Sequence, residues 1–123
     1  MLRNEKGFTL IEIIAVLVIL GILAAVAIPK YISMMDQSRI SAAQGAIAEV
    51  KARASSWYAT QLMENASPTL VTVQGSVTGT PNVGNDFTVA TAVGAGTTYM
   101  TITVSEVKGV AVSNVVGTWY MPQ

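Results

Sequence analysis

The 123-residue sequence predicts an α+β protein: a long N-terminal helix, membrane-spanning in its first half and amphipathic in its second, packed on a small C-terminal antiparallel β-sheet. Three observations carry that expectation. From Phe8 to Ile28 the chain is apolar apart from Thr9, Gly21 and one carboxylate, Glu12. Small and apolar residues then recur in steps of three and four from Ile40 to Trp57, the spacing of one helix face. From residue 69 onward the composition turns to Thr, Val, Gly and Ser, which suits strands and turns.

The stretch Lys6–Lys30, KGFTLIEIIAVLVILGILAAVAIPK, organises the chain. At the helical rise its apolar part reaches about 31 Å, close to the ~30 Å hydrocarbon core of a bilayer. Glu12 lies one turn inside. An ionised carboxylate in hydrocarbon is costly unless paired, which makes an intramembrane acid a functional candidate. Arg3 and Lys6 precede the run and Lys30 alone follows it, so the positive-inside rule places the N-terminus in the cytoplasm. A conventional signal peptide is the competing interpretation, with Ala24, Ala25 and Ala27 imitating its cleavage site. Such a signal is cut after its apolar run, whereas here a short charged leader abuts the run at Gly7-Phe8.

Gly7-Phe8-Thr9-Leu10-Ile11-Glu12, followed by the apolar run with Gly21 and Pro29, resembles the N-terminus of type IV pilins and of the pseudopilins of type II secretion. The resemblance covers about the first 35 residues and is only architectural beyond them. It implies the pilin fold and cleavage after Gly7 by a prepilin peptidase and methyltransferase. Phe8 would become the N-methylated mature N-terminus. Glu12 would pair with the terminal amine of Phe8 in a neighbouring subunit during assembly. The implied organisation is a leader at 1–7, a transmembrane and filament-core helix at 8–29, an amphipathic helical half at 30–66 and a β-rich head at 67–123.

Pro29 removes a backbone donor and crowds the carbonyl of Ala25, and Gly21 loosens the helix earlier. A mild kink in a continuous helix is expected in the isolated subunit; the resemblance adds that the Gly21–Pro29 stretch can lose helicity in filaments. One helix from about Phe8 to Glu64 would be about 85 Å long. Its second half places Ile40, Ala43, Ile47, Val50, Ala54 and Trp57 on one face, with Tyr58 and Leu62 adjoining. Asp36, Gln37, Arg39, Gln44, Glu49, Lys51, Arg53 and Gln61 lie opposite, with Glu49 and Arg53 spaced for a small exposed ion pair.

Asn65 can cap the helix, and Pro68 biases Ser67 out of the α region. Asn65-Ala66-Ser67 also spells a glycosylation sequon, a short and common match. Leu70–Val73, Phe87–Val93 and Tyr99–Val104 read as strands, with Gly75–Asp86 a loop and Gly94-Ala95-Gly96 a hairpin turn. Lys108-Gly109 is a second turn, leading to strands around Val110–Val112 and Val115–Met121. A sheet of three to five strands should cover the stripe of the helix.

The chemistry of the chain points away from catalysis. There is no His and no Cys, so the usual general base, the usual nucleophile, thiolate metal ligands and disulfides are all missing. The resemblance notes that many pilins close their C-terminal region with a disulfide; here packing and strand pairing must serve. Ser105-Glu106-Val107-Lys108 has the S-x-x-K spacing, but it leaves a strand and enters a turn rather than starting a helix. Asn82, Asn85, Asp86 and Glu106 offer oxygens for calcium with too few carboxylates to make a site, so neither a metal nor another cofactor is expected. The resemblance contrasts this with the acidic calcium loop of major pseudopilins. Eight aromatics (Phe8, Tyr31, Trp57, Tyr58, Phe87, Tyr99, Trp119 and Tyr120) invite an electron path along a filament, but packing accounts for them, with Trp57 and Trp119 anchoring helix to sheet.

Net charge is zero, and removing Arg3, Lys6 and Glu5 from seven basic and seven acidic side chains leaves five and six, so no specific nucleic-acid partner is expected. The expected partners are further copies of the chain in a filament, the prepilin peptidase, inner-membrane lipids before assembly, and pilus or secretion assembly machinery. The expected function is that of a non-enzymatic filament subunit. A secretion pseudopilin is one alternative, and a membrane-anchored or secreted β-rich binding module is another.

Overall fold

A computed structural model describes residues 6–78 and 83–123. The chain divides into two compact units, Met1–Met35 and Asp36–Gln123. One helix, α1 (Leu10–Met63), runs unbroken through Gly21, Pro29 and Gly45. Its end is a Schellman cap. Asn65 adopts the left-handed conformation at φ 56°. The amide of Ala66 donates to the Gln61 carbonyl at 3.0 Å, and that of Asn65 donates to Leu62 at 3.2 Å. The capping expected of Asn65 is thus realised in its backbone.

In the first unit every described side chain, Lys6 to Met35, is exposed. This helix is long and apolar enough to cross a membrane.

In the second unit Ala43, Ala46, Ile47, Val50 and Ala54 of α1 are buried, with Ile40 and Trp57 half-buried at the ends of the stripe. Leu62 falls off it and is 51% exposed. On the other side, Glu49 pairs with Arg53 at 2.7 Å, and Asp36 with Arg39 at 2.9 Å.

The strand expected at Leu70–Val73 is instead the start of a second helix, α2 (Leu70–Thr78). β-Branched residues favour strands, but two local features win here. Thr69 caps the helix, its hydroxyl accepting the Thr72 amide at 3.4 Å while the Thr72 hydroxyl accepts the Thr69 amide at 2.9 Å. Leu70, Val73 and Val77 are then buried together at helical, not alternating, spacing. Gly75 to Thr78 are therefore helix rather than loop. Of the remaining expected loop, residues 79–82 lie outside the described residues.

Three strands follow as an antiparallel meander: β1 (Phe87–Val93), β2 (Tyr99–Val107) and β3 (Val110–Tyr120). The two segments expected near the C-terminus are one strand. Lys108 and Gly109 both have positive φ, 53° and 72°, as a two-residue type I′ hairpin turn requires. Irregular pairing between Thr88 and Val89 matches another between Val104 and Glu106. The inner face of β2 presents Met100, Ile102 and Val104, all fully buried beneath both helices in one core with Trp119.

At Gly117, β3 packs tightly against α1. A Cβ there would clash with Ile47 Cγ2 and lie 3.2 Å from Lys51 Cε. The lysine stem can swing away; the branched methyl cannot without shifting its backbone. Gly117→Ala is therefore expected to destabilise the second unit by about 1–3 kcal/mol, despite alanine's better conformational entropy. Urea denaturation measures this, and an unchanged midpoint would show that α1 gives way at no cost.

Candidate functional site

The features singled out in the sequence converge on the start of α1. Lys6 to Thr9 precede the helix, and Gly7 and Phe8 are exposed, Phe8 by 86%. Thr9 is the N-cap: its carbonyl accepts the Ile13 amide at 3.3 Å. Its hydroxyl accepts the Glu12 amide at 3.3 Å, while its own amide donates to Glu12 Oε2 at 2.8 Å. This is a capping box, T-x-x-E, in which the third helical residue satisfies the donor that the helix leaves orphaned. The negative side chain also complements the positive end of the helix dipole.

The sequence singles out Glu12 by its charge, but Thr9 as its partner was missed there. The signal was present, since Thr9 stands three residues before Glu12 at the edge of an apolar run. Glu12 is not a bare carboxylate: one oxygen is held by its own first turn. Oε1 takes no hydrogen bond from the described residues, and Glu12 as a whole is exposed. An ammonium from outside, with two N–H groups if it is an N-methylated terminus, has the right charge and hydrogen-bonding capacity for it.

Further along, Ile13 to Ile28 present a continuous apolar surface, with Leu17 at 63% and Val26 at 71% exposure. That much apolar area in water is unfavourable, and it demands lipid or protein cover. Gly21 has open space around its α-carbon, so a second helix can approach closely there.

The remaining candidates do not gather. Ser105 lies in β2 and Lys108 in the following turn, whose amide donates to the Asp86 carbonyl at 2.6 Å. Glu106 accepts from the Thr88 hydroxyl at 3.1 Å. Asn82 lies outside the described residues, and among those described no group of three or more His, Cys, Asp or Glu side chains could hold a metal. Four of the eight aromatics fall into two pairs, Tyr58–Trp119 at 6.1 Å and Tyr99–Tyr120 at 5.7 Å between centroids. Trp119 is buried as expected at the helix–sheet interface, and its Nε1 donates to Ser55 Oγ at 2.8 Å.

Comparison with known proteins matches the same N-terminal segment. The family described as the prokaryotic N-terminal methylation motif matches residues 2–28. The type II secretion system core protein G of Pseudomonas aeruginosa is 50% identical over 50 residues, 41% of this chain and 35% of that protein. The type IV narrow pilus major component PilA5 of Thermus thermophilus is 51% identical over 35 residues, 28% of this chain and 30% of that protein. The type IV major alpha-pilin of Moraxella bovis is 36% identical over 83 residues, 68% of this chain and 48% of that protein. The chain thus matches less than half the length of each of these curated relatives. No solved structure matches it. In its N-terminal segment, with its capped and apolar α1, the chain is similar to type IV pilins and to a type II secretion core protein.

Proposed function

We propose that the protein is a structural subunit of a type IV pilus-like filament and not an enzyme. The single observation that carries this reading is the start of α1, whose exposed apolar stretch carries one carboxylate, Glu12, in its first turn, inside the segment 2–28 that matches the N-terminal methylation motif. Residues 1–7 act as leader, 8–29 as membrane anchor and later filament core, 30–66 as the amphipathic helical half, and 67–123 as the head. The precursor sits in the inner membrane as a single-pass protein with its N-terminus cytoplasmic. A prepilin peptidase and methyltransferase cuts between Gly7 and Phe8 and methylates Phe8. Assembly machinery then moves subunits from lipid into a homopolymer outside the cell, where further α1 helices replace lipid over the apolar surface. Gly21 and Pro29 give that core its flexibility.

A second reading is a pseudopilin, which would form a short periplasmic fibre. The 50% identity to a type II secretion core protein over 50 residues favours it. Electron microscopy of sheared surface material decides between the two. Long filaments containing this chain are expected; a chain confined to the periplasm, with secretion lost on its deletion, means a pseudopilus.

Processing gives an independent check. Mass spectrometry of the mature protein is expected to start at Phe8 with one added methyl. Gly7→Arg should leave essentially all of the precursor uncleaved, because a long charged side chain replaces a hydrogen at the scissile position. A mature start after Ala25 or Ala27 would mean a conventional secreted protein and end the filament reading.

A further inference from the structure

We infer that the outer edge of β3 is a pairing surface for a second copy of this chain, which adds its own β3 antiparallel along Val116–Tyr120. The two edges of the sheet differ. At β1 the neighbouring helix α2 guards the edge, and Gln74 Nε2 donates to the outward Thr91 carbonyl at 2.9 Å. At β3, among the described residues, no hydrogen bond reaches the outward side. The ladder identifies the open groups. The Met121 amide bonds the Thr98 carbonyl at 3.0 Å, and the same register continues through Tyr99–Tyr120, Met100–Trp119, Thr101–Thr118, Ile102–Gly117 and Thr103–Val116. Bonded and unbonded pairs alternate in an antiparallel ladder. Trp119 and Gly117 therefore bond β2, while the N–H and C=O groups of Val116, Thr118 and Tyr120 point away from it.

Edge strands usually carry a charge, a proline or a bulge against such pairing. Val110–Tyr120 has no charged residue and no proline. Its irregular pairing lies before Val115, so the rest of the strand is regular. Lys51 reaches Gly117 from the inner face, whereas Val116, Thr118 and Tyr120 alternate with buried Trp119 and lie on the outer face. A second copy fits because this segment is complementary to itself. With Thr118 opposite Thr118 on a two-fold axis, Val116 stands opposite Tyr120 of the second copy, and each such pair exchanges two hydrogen bonds. Aromatic and β-branched side chains then meet across the strands, the threonine hydroxyls lie side by side, and no like charges oppose each other. Val116 is 57% and Tyr120 64% exposed, so the contact also covers apolar surface.

β3 runs beside α1 in the same sense, with Ala111 near Ile40, Gly117 near Ile47 and Trp119 near Ser55. The two-fold axis therefore joins heads that point in opposite directions. Copies related head to tail along one filament all point the same way. On the filament reading, the contact thus ties together filaments that meet from opposite directions, where a row of individually weak pairings adds up. The pairing itself does not depend on that reading.

Disulfide capture in the full chain, purified in detergent, tests the pairing, and the chain has no native cysteine to interfere. Thr118→Cys would face its own copy at about 5.5 Å between α-carbons, within disulfide reach. On mild oxidation it is expected to form dimers about tenfold faster than Ala90→Cys, because pairing holds the two thiols at a high effective concentration. Ala90 is exposed on the same outer face but in β1, so its cysteine reports random collision. Two further variants read the register. Val116→Cys and Tyr120→Cys should cross-link to each other when mixed. Each alone should stay at the Ala90→Cys rate, since like positions are then about 14 Å apart along the strands. Thr118→Cys no faster than Ala90→Cys overturns the inference. So does Val116→Cys joining itself as readily as it joins Tyr120→Cys. None of these outcomes needs a filament, so the inference stands or falls apart from the filament reading, which electron microscopy decides.

Discussion

Glu12→Ala is expected to abolish filaments, or reduce them sharply, while leaving membrane insertion and the fold of residues 36–123 intact. The reasoning starts from the cost of the charge. A carboxylate surrounded by apolar helices has no water, and leaving it unpaired costs several kcal/mol even after relaxation. The Thr9 amide offsets part of that cost, since a hydrogen bond to a charged group contributes about 1.5–3 kcal/mol, but it brings no positive charge. A neighbouring copy's amine does. On the proposed pairing, a subunit arriving out of register leaves two charges uncompensated, so the ion pair fixes the stagger of the filament. On the same proposal the amine exists only after cleavage, which would make processing a licence for assembly. Glu12→Gln separates the two roles of the side chain. Glutamine is also a good capping-box residue, so the helix start survives while the charge is lost. Filament loss with both variants assigns the effect to charge. Shearing and immunoblotting read the outcome, with membrane fractionation as the control. Normal filaments at normal levels in Glu12→Ala cells would show that register comes from packing of the apolar surface alone.

Much of the fold was legible because its signals are periodic and strong. The run from Phe8 to Ile28 is too apolar and too long for a strand. The stripe through Ala43, Ile47, Val50 and Ala54 was readable from spacing, and all four are buried. Both hairpins showed in their turn residues, Gly94-Ala95-Gly96 and Lys108-Gly109, because positive φ restricts the residues that fit. The errors arose where propensity and context disagree. Leu70–Val73 has strand composition, yet the Thr69–Thr72 cap and the spacing of Leu70, Val73 and Val77 make it helix. Propensity is worth only a few tenths of a kcal/mol per residue, less than one cap. At the site, Glu12 stood out through its charge, whereas Thr9 did not. A threonine beside an apolar run is unremarkable until its partner three residues on is read with it. Ser55 gave no signal, since its role depends on Trp119, 64 positions away.

Trp119→Ala should remove about 3–5 kcal/mol from the second unit, the usual range for a buried tryptophan reduced to a methyl. Small domains have only about 5–15 kcal/mol in total, so the variant should be partly unfolded or nearly so at 37 °C. The indole is 6% exposed in the last strand, paired with fully buried Met100 across the sheet. It meets Tyr58 of α1 edge-on at 67° and donates to Ser55 of the same helix. The Tyr58 hydroxyl in turn donates to the Pro122 carbonyl at 3.0 Å, and the Met121 amide to Thr98 at 3.0 Å. With no cysteine in the chain, these contacts and the β2–β3 ladder hold the C-terminal end where a disulfide is impossible. The residue 36–123 fragment is the natural vehicle, because those residues form a compact unit with their own core. It is expected to be soluble and folded; a fragment that stays unfolded would show the anchor half to be integral to the fold. Smaller changes divide the total. Ser55→Ala leaves the indole N–H without its acceptor and should cost about 1 kcal/mol. Trp119→Phe loses the donor and part of the ring, and should fall between Ser55→Ala and Trp119→Ala. Adding Ser55→Ala to Trp119→Phe should then cost almost nothing, since the hydroxyl has no indole left to serve. Additive losses in that double variant would mean that Ser55 supports the helix by itself, and that the indole stabilises the C-terminal end by packing and not by its hydrogen bond.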